Sequence, residues 1–217
     1  MSEEEQATMQ NDGPFVFRGE NLALDLVNTE VVIRGKRQDL LAQPQDAAQW
    51  WLAAQKHHRD LNAVRAENEE QIDYDRALLS KLFSLRTALR AIFSALVEER
   101  NPAKEDRDVL NNVLKTGYAS LDMTEQGELV SIYRTADTQR GLILLPIALS
   151  ALHLICTGER KRLHHCENGK CILFFYDTTK SATRRWCSLG CMDRARSAQR
   201  YREAKQQKSA PGHHRTE

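Results

Sequence analysis

The chain has 217 residues, 41% hydrophobic and 28% charged, a composition that suits a soluble globular protein of one medium domain plus a small one and excludes a wholly disordered chain. The formal net charge of +1 averages two opposite halves, because residues 1–158 hold 17 Lys and Arg against 24 Asp and Glu, while residues 159–217 hold 14 against 6. A body at −7 and a tail at +8 point to a tail that meets a polyanion.

In chain order, residues 1–13 are acidic and polar, with no apolar run behind basic residues, and are expected to be disordered and not a secretory signal. Residues 15–17 suggest a short strand. Residues 21–29 read as a helix, since Leu22, Leu26 and Thr29 fall on one helical face, as do Ala23 and Val27. Residues 44–55 predict a helix that opens on Pro44 and carries Trp50 and Trp51. The strongest periodicity spans residues 74–100, where Leu78, Leu82, Leu85, Leu89, Ile92, Phe93 and Leu96 form one apolar stripe closed by Pro102. Residues 104–116 give a further helix. Residues 118–123 and 128–135 flank Glu125-Gln126-Gly127 and predict a β-hairpin. Residues 138–157 are apolar nearly all round, which marks a central helix of the first domain. Its most apolar run is shorter than the ~20 residues needed to cross a bilayer, so no membrane partner is expected.

Past Gly158 the composition turns basic. Cys166, Cys171, Cys187 and Cys191 read Cys-x4-Cys and Cys-x3-Cys, separated by a 15-residue insert. Two short-spaced pairs with such an insert wrap four thiolates around one zinc ion. Closed four-thiolate coordination makes that zinc structural, because a catalytic zinc keeps a position open. Asn168-Gly169 supplies the turn of the knuckle. Residues 172–176 are β-prone, and residues 184–187 are expected to be the returning strand of a hairpin. Ser188 is placed as the N-cap of a helix through about residue 206, with Cys191 in its first turn. Knuckle, hairpin and a helix that delivers the last ligand form a treble clef. On that helix Cys191, Ala195, Ala198 and the stem of Arg202 share the face expected to pack on the knuckle. Lys180, Arg184, Arg185, Arg194, Arg196 and Arg200 then make a basic surface suited to phosphate and guanine edges. The histidine pairs His57-His58 and His213-His214 have irregular neighbours and read as solvated.

The block Cys166…Cys171, Phe174, Asp177-Thr178, Arg184-Arg185-Trp186-Cys187-Ser188…Cys191-Met192-Asp193-Arg194 resembles the CGNR-type zinc finger of bacterial proteins. Upstream, residues 24–29 (Leu-Asp-Leu-Val-Asn-Thr), followed by Leu40-Leu41…Pro44…Trp51-Leu52, are similar to the ABATE domain that precedes this finger. The resemblance runs from about Phe15 to Lys205. It implies an α+β first domain that binds a small ligand, joined to a DNA-binding treble clef in a stress-induced transcription regulator. Met192 and Asp193 stand where the family has Gly and Asn. Asp193 suits the positive end of the helix dipole but works against a polyanion there.

The expected fold class is therefore α+β, a mainly helical N-terminal domain with a small β-hairpin plus a C-terminal treble-clef zinc finger. The expected organisation is a disordered segment 1–13, an ABATE-like ligand-binding or dimerising domain over 14–158, the finger over 159–207 and a flexible tail over 208–217. The expected function is a cytoplasmic DNA-binding regulator with one structural Zn2+. Its partners are DNA and a small-molecule effector, and the first domain offers a route to a homodimer. Asn28, Thr29 and Arg86 are candidate ligand contacts, against a reading in which Asn28 and Thr29 cap a helix and Arg86 makes an internal ion pair. A protein–protein adaptor and an RNA-binding protein are the competing readings. No Gly-rich phosphate loop, Ser-His-Asp grouping or His/carboxylate cluster at metal spacing marks the first domain, so no catalysis is expected.

Overall fold

A computed structural model describes residues 13–18, 21–58, 61, 72–124, 126–137 and 139–209. The expected disordered segment 1–13 and flexible tail 208–217, with His213-His214, lie outside the described residues except for Gly13 and for Lys208 and Ser209, which fall in the last helix. Along the chain run α1 (Leu22–Val27), β1 (Glu30–Ile33), β2 (Lys36–Asp39), α2 (Pro44–His57), α3 (Arg76–Val97) and α4 (Lys104–Leu114). They are followed by β3 (Gly117–Met123), β4 (Leu129–Thr135), α5 (Gly141–Thr157), a 3-10 turn (Arg160–Arg162), β5 (Leu163–His165), β6 (Phe174–Tyr176) and α6 (Leu189–Ser209). The described strands form three separate two-stranded antiparallel sheets, β1–β2, β3–β4 and β5–β6.

α3 is the axis of the core. Asp75 caps it, its side chain accepting from the Leu78 amide at 2.7 Å, and the whole predicted stripe from Leu78 to Leu96 is buried. α1, α2, α4 and α5 all pack on it. α5 is buried from Gly141 to Ala148 and at Ala151, but Leu152, His153, Cys156 and Thr157 are exposed, so only its first half is a core helix. Asn21 caps α1, and all six residues of that helix are buried.

Sequence periodicity gave no sign of the β1–β2 hairpin. Its two-residue loop is Arg34-Gly35, at φ 51° and 79°, the left-handed pair that a tight type I′ connection demands. The segment 15–17, expected to be a strand, joins no sheet. The β3–β4 hairpin has the predicted position and full seven-pair register. Gly117 is required at its base, because a Cβ there would run into the Arg134 carbonyl.

Among the described residues no helix is long and apolar enough to cross a membrane.

Candidate metal centre and nucleic-acid interface

The metal-ligating cluster is assembled by local hydrogen bonding of a short knuckle. β5 and β6 pair across it, with Leu163 opposite Tyr176 and His165 opposite Phe174. The Cys166 amide donates to the Leu173 carbonyl at 2.9 Å, and the Cys171 amide to the Asn168 carbonyl at 2.7 Å. The buried Asn168 side chain accepts from the Lys170 amide at 3.1 Å, closing the turn. From the far side, the Cys187 amide reaches the Cys166 sulfur at 3.5 Å. Ser188 Oγ accepts from the Cys191 amide at 3.2 Å and starts α6 as expected.

The four sulfurs lie within 4.8 Å of one another, with Cys166, Cys187 and Cys191 buried and Cys171 partly so. Cys171–Cys187 and Cys187–Cys191 are 3.8 and 3.5 Å apart. Tetrahedral coordination at a Zn–S distance of about 2.3 Å spaces its sulfurs by roughly 3.8 Å, so the donor set fits a four-thiolate ion. With thiols alone, the Cys171 and Cys187 S–H groups donate to Cys166 and hold it as a thiolate, down to about 2. Donation to Cys166 pushes Cys171 up to about 12, and the same contacts drive Cys187 upward. Four thiolates at this spacing need a cation among them. Arg194 Nη2 donates to the Cys191 sulfur at 3.1 Å, adding one charge-assisted contact to the rim of the cluster.

The expected returning strand is not there. β6 pairs upstream with β5, and residues 184–187 form no strand. They are held instead by buried Asp177, whose carboxylate accepts from the Thr179 amide, the Thr179 hydroxyl and the Arg184 amide at 2.7–2.9 Å. Burial acts to raise the Asp177 pKa, but these donors outweigh it and hold the group below the usual carboxylate range. Arg162 ties the same loop by donating to the Asp177 and Thr179 carbonyls.

The six predicted nucleic-acid contacts divide in two. Arg184 is partly buried, donates to the Cys187 carbonyl at 3.1 Å and lies over the Phe175 ring. Arg185 pairs with Glu167 and stacks on Trp186, and Arg194 turns back to Gly190 and Cys191. The side chains of Lys180, Arg196 and Arg200 are exposed and make no hydrogen bond or ion pair within the described residues. The expected packing of α6 on the knuckle ends at Ala195, and Ala198 and Arg202 are exposed. Every residue from 196 to 206 is exposed, so that length of helix stands in solvent on all sides. It carries Arg196, Arg200, Arg202 and Lys205 against the single carboxylate of Glu203.

Asn28, Thr29 and Arg86 are brought together, and all three are buried and engaged internally. Arg86 donates to Thr29 Oγ1 at 2.8 Å and pairs with both carboxylate oxygens of Asp39. Thr29 Oγ1 donates to the Leu26 carbonyl. Asn28 bonds the Phe174 backbone twice, its side-chain amide donating to the carbonyl and its side-chain oxygen accepting from the amide, both at 2.9 Å. One turn beyond Arg86, Arg90 donates to the Ile172 and Val27 carbonyls and faces Glu30 at 2.9 Å. Phe93 meets Phe174 at 6.2 Å, and Leu163 and Phe174 belong to the main core. The metal module is thus docked on the first domain. Arg90 escaped sequence reasoning although it shares a helical strip with Arg86, since nothing in the sequence names a backbone carbonyl 82 residues away.

A cavity of about 310 Å³ lies apart from these residues, lined by Asn21, His58, Tyr133, Pro146, Ser150 and His153 among others. His58 is not solvated as expected, because its Nε2 meets the buried Asp25 carboxylate at 2.7 Å. His57 stacks on Phe17.

Two family models match the chain. ABATE, described as "Putative stress-induced transcription regulator", matches residues 20–158, and the CGNR zinc finger matches residues 162–204. No curated protein gives a significant match.

Proposed function

This chain belongs to the ABATE family, and from that premise we propose that it is a DNA-binding transcription regulator whose metal module holds α6 against the duplex. Neither matched family is catalytic, so the metal belongs to structure. The ion is one Zn2+, held by Cys166, Cys171, Cys187 and Cys191; four soft thiolates, three of them buried, within 4.8 Å of one another are its preferred donor set. Zinc offsets half of the charge of the four thiolates and locks the knuckle to the first turn of α6, the treble-clef arrangement. On this reading residues 14–158 are the first domain and 159–207 the finger. DNA is the partner that places the protein in the cytoplasm.

The observation that carries the proposal is the solvent-surrounded basic length of α6 over residues 196–206. A helix of about 10–12 Å diameter fits the roughly 12 Å major groove, and guanidinium groups at its flanks reach phosphates and guanine edges. Arg196 and Arg200 lie one turn apart on the same strip and are free for such contacts, as is Lys180. Arg184, Arg185 and Arg194 act chiefly by holding the frame, which revises the even-handed role the sequence suggested for all six. Titration of a labelled duplex at several salt concentrations tests this: affinity falls steeply with salt if phosphates are neutralised, and salt-insensitive or absent binding refutes it.

A second reading, a protein-binding adaptor, draws on Leu189 and Tyr201, which are 74% and 72% exposed on the same helix. A partner protein would bind there with little salt dependence and outcompete DNA. The first domain's effector site on this account is the His58–Tyr133–His153 cavity. The polar groups of Asn28, Thr29 and Arg86 are engaged elsewhere: Asn28, with Arg90, ties the first domain to the finger, while Arg86 pairs Thr29 and Asp39 inside the first domain.

A further inference from the structure

The β3–β4 hairpin is unusual in what it leaves in water. It is a two-stranded sheet whose outer edges meet no third strand among the described residues. Leu121, Met123 and Leu129 are 72%, 62% and 65% exposed. Met123 is directly opposite Leu129, and Leu121 is two residues along the strand, so all three share one face. Tyr118, 61% exposed, lies on the other face of β3. Two strands alone are marginal in water. Edge strands that stay free are normally protected by charges. Here each seven-residue strand has only one charge, Asp122 or Arg134, and the two already face each other at 3.8 Å. The apolar face continues through Tyr133 to Leu149 and, one turn on, to the exposed Leu152 of α5.

We propose that this hairpin is a homodimer interface in which β3 pairs antiparallel with β3 of a second copy, giving a continuous four-stranded sheet. β3 is the strand that offers itself, because it holds three of the hairpin's four exposed large side chains. A second copy is the occupant because the strand is complementary to itself. A two-fold axis through Ser120 sets Tyr118 opposite Asp122 of the second copy, a phenol against a carboxylate, and Ala119 opposite its Leu121. No like charges meet, and the apolar faces of both hairpins merge into one. The interface is isologous, so it closes and does not run on into a filament. It involves neither the metal module nor α6, and it stands or falls separately from DNA binding.

Analytical ultracentrifugation of the full chain, with molecular mass read across the micromolar range, tests the proposal. The expected species has about twice the 24.8 kDa chain mass. Leu121→Arg is expected to sediment as a monomer at the same concentration with unchanged melting temperature and metal content, since that side chain is outside the core; Met123→Lys is the second variant. Ser120→Cys in a Cys156→Ser background is expected to form a covalent dimer on mild oxidation, seen on non-reducing gels. A monomeric wild type overturns the proposal. So does a dimer that survives both charge variants, or one that Ser120→Cys does not cross-link.

Discussion

Asn28 is where the first domain and the metal module grip each other, because one amide side chain satisfies both backbone groups of Phe174 across 146 residues of sequence. Asn28→Ala leaves a buried N–H and a buried carbonyl unpaired, a loss of about 2–4 kcal/mol. In a chain of this length that lowers the melting temperature by about 5–15 °C, readable by differential scanning calorimetry. A variant within 1–2 °C of wild type would contradict the role. Asp39 adds a pH dependence. Burial acts to raise its pKa, but hydrogen bonds from Arg86 and the Leu41 amide, with the Arg86 charge, hold it below 3.8. A carboxylate depressed on folding contributes stability that is fully present above its unfolded pKa and is lost as pH falls through the folded value. Stability should therefore drop below about pH 4, and Arg86→Met should flatten that part of the stability–pH curve measured by urea unfolding. The residue types were legible in the sequence, and so was the reading in which they cap and pair internally. Their partners were not, because hydrogen bonds to distant backbone leave no pattern.

At the scale of elements, legibility follows periodicity. α3 and the β3–β4 hairpin have long, regular apolar patterns, and the sequence placed both. β1–β2 has four-residue strands, and β5–β6 three-residue strands. Such short strands carry too few alternations to declare themselves. The only local sign of the first pair is its Arg34-Gly35 loop, and Gly35→Ala, at φ 79°, should cost about 1 kcal/mol in urea unfolding. For the second pair the error was one of partner, since residues 172–176 read correctly as β-prone but pair upstream across the knuckle. The arginines of the finger separate by element in the same way. Arg184→Ala removes a bond to the Cys187 carbonyl and a cation–π contact, and should lower stability by about 1–3 kcal/mol. Arg196→Ala, on the free length of α6, should leave stability within about 0.5 kcal/mol while weakening DNA binding. Equal melting temperatures for the two variants would contradict that division.

In the whole molecule, the finger is not a bead on a tether. Leu163 and Phe174 are part of the main core, and Val16, Val31 and Leu40 of the first domain pack with the cysteine cluster. The charge asymmetry and the cysteine spacing announced two modules, but only the folded chain shows them sharing a core. Chelation should thus destabilise more than the finger, because losing an ion that binds only the native state shifts the linked equilibrium. Calorimetry with a strong chelator is expected to lower the single transition of the intact chain. A first-domain transition unmoved by chelation would mean that the docking carries little energy.

The central claim is that the metal-held frame exists to present α6 to DNA, and its direct measurement is duplex affinity as a function of salt for wild type, Arg196→Ala, Arg200→Ala and the pair. The account predicts a steep linear fall of log affinity with log salt, a slope shallower by about 1 for each arginine removed, and weaker binding at unchanged zinc content. Identical slopes for wild type and the double variant, or no salt-dependent binding at all, would contradict it.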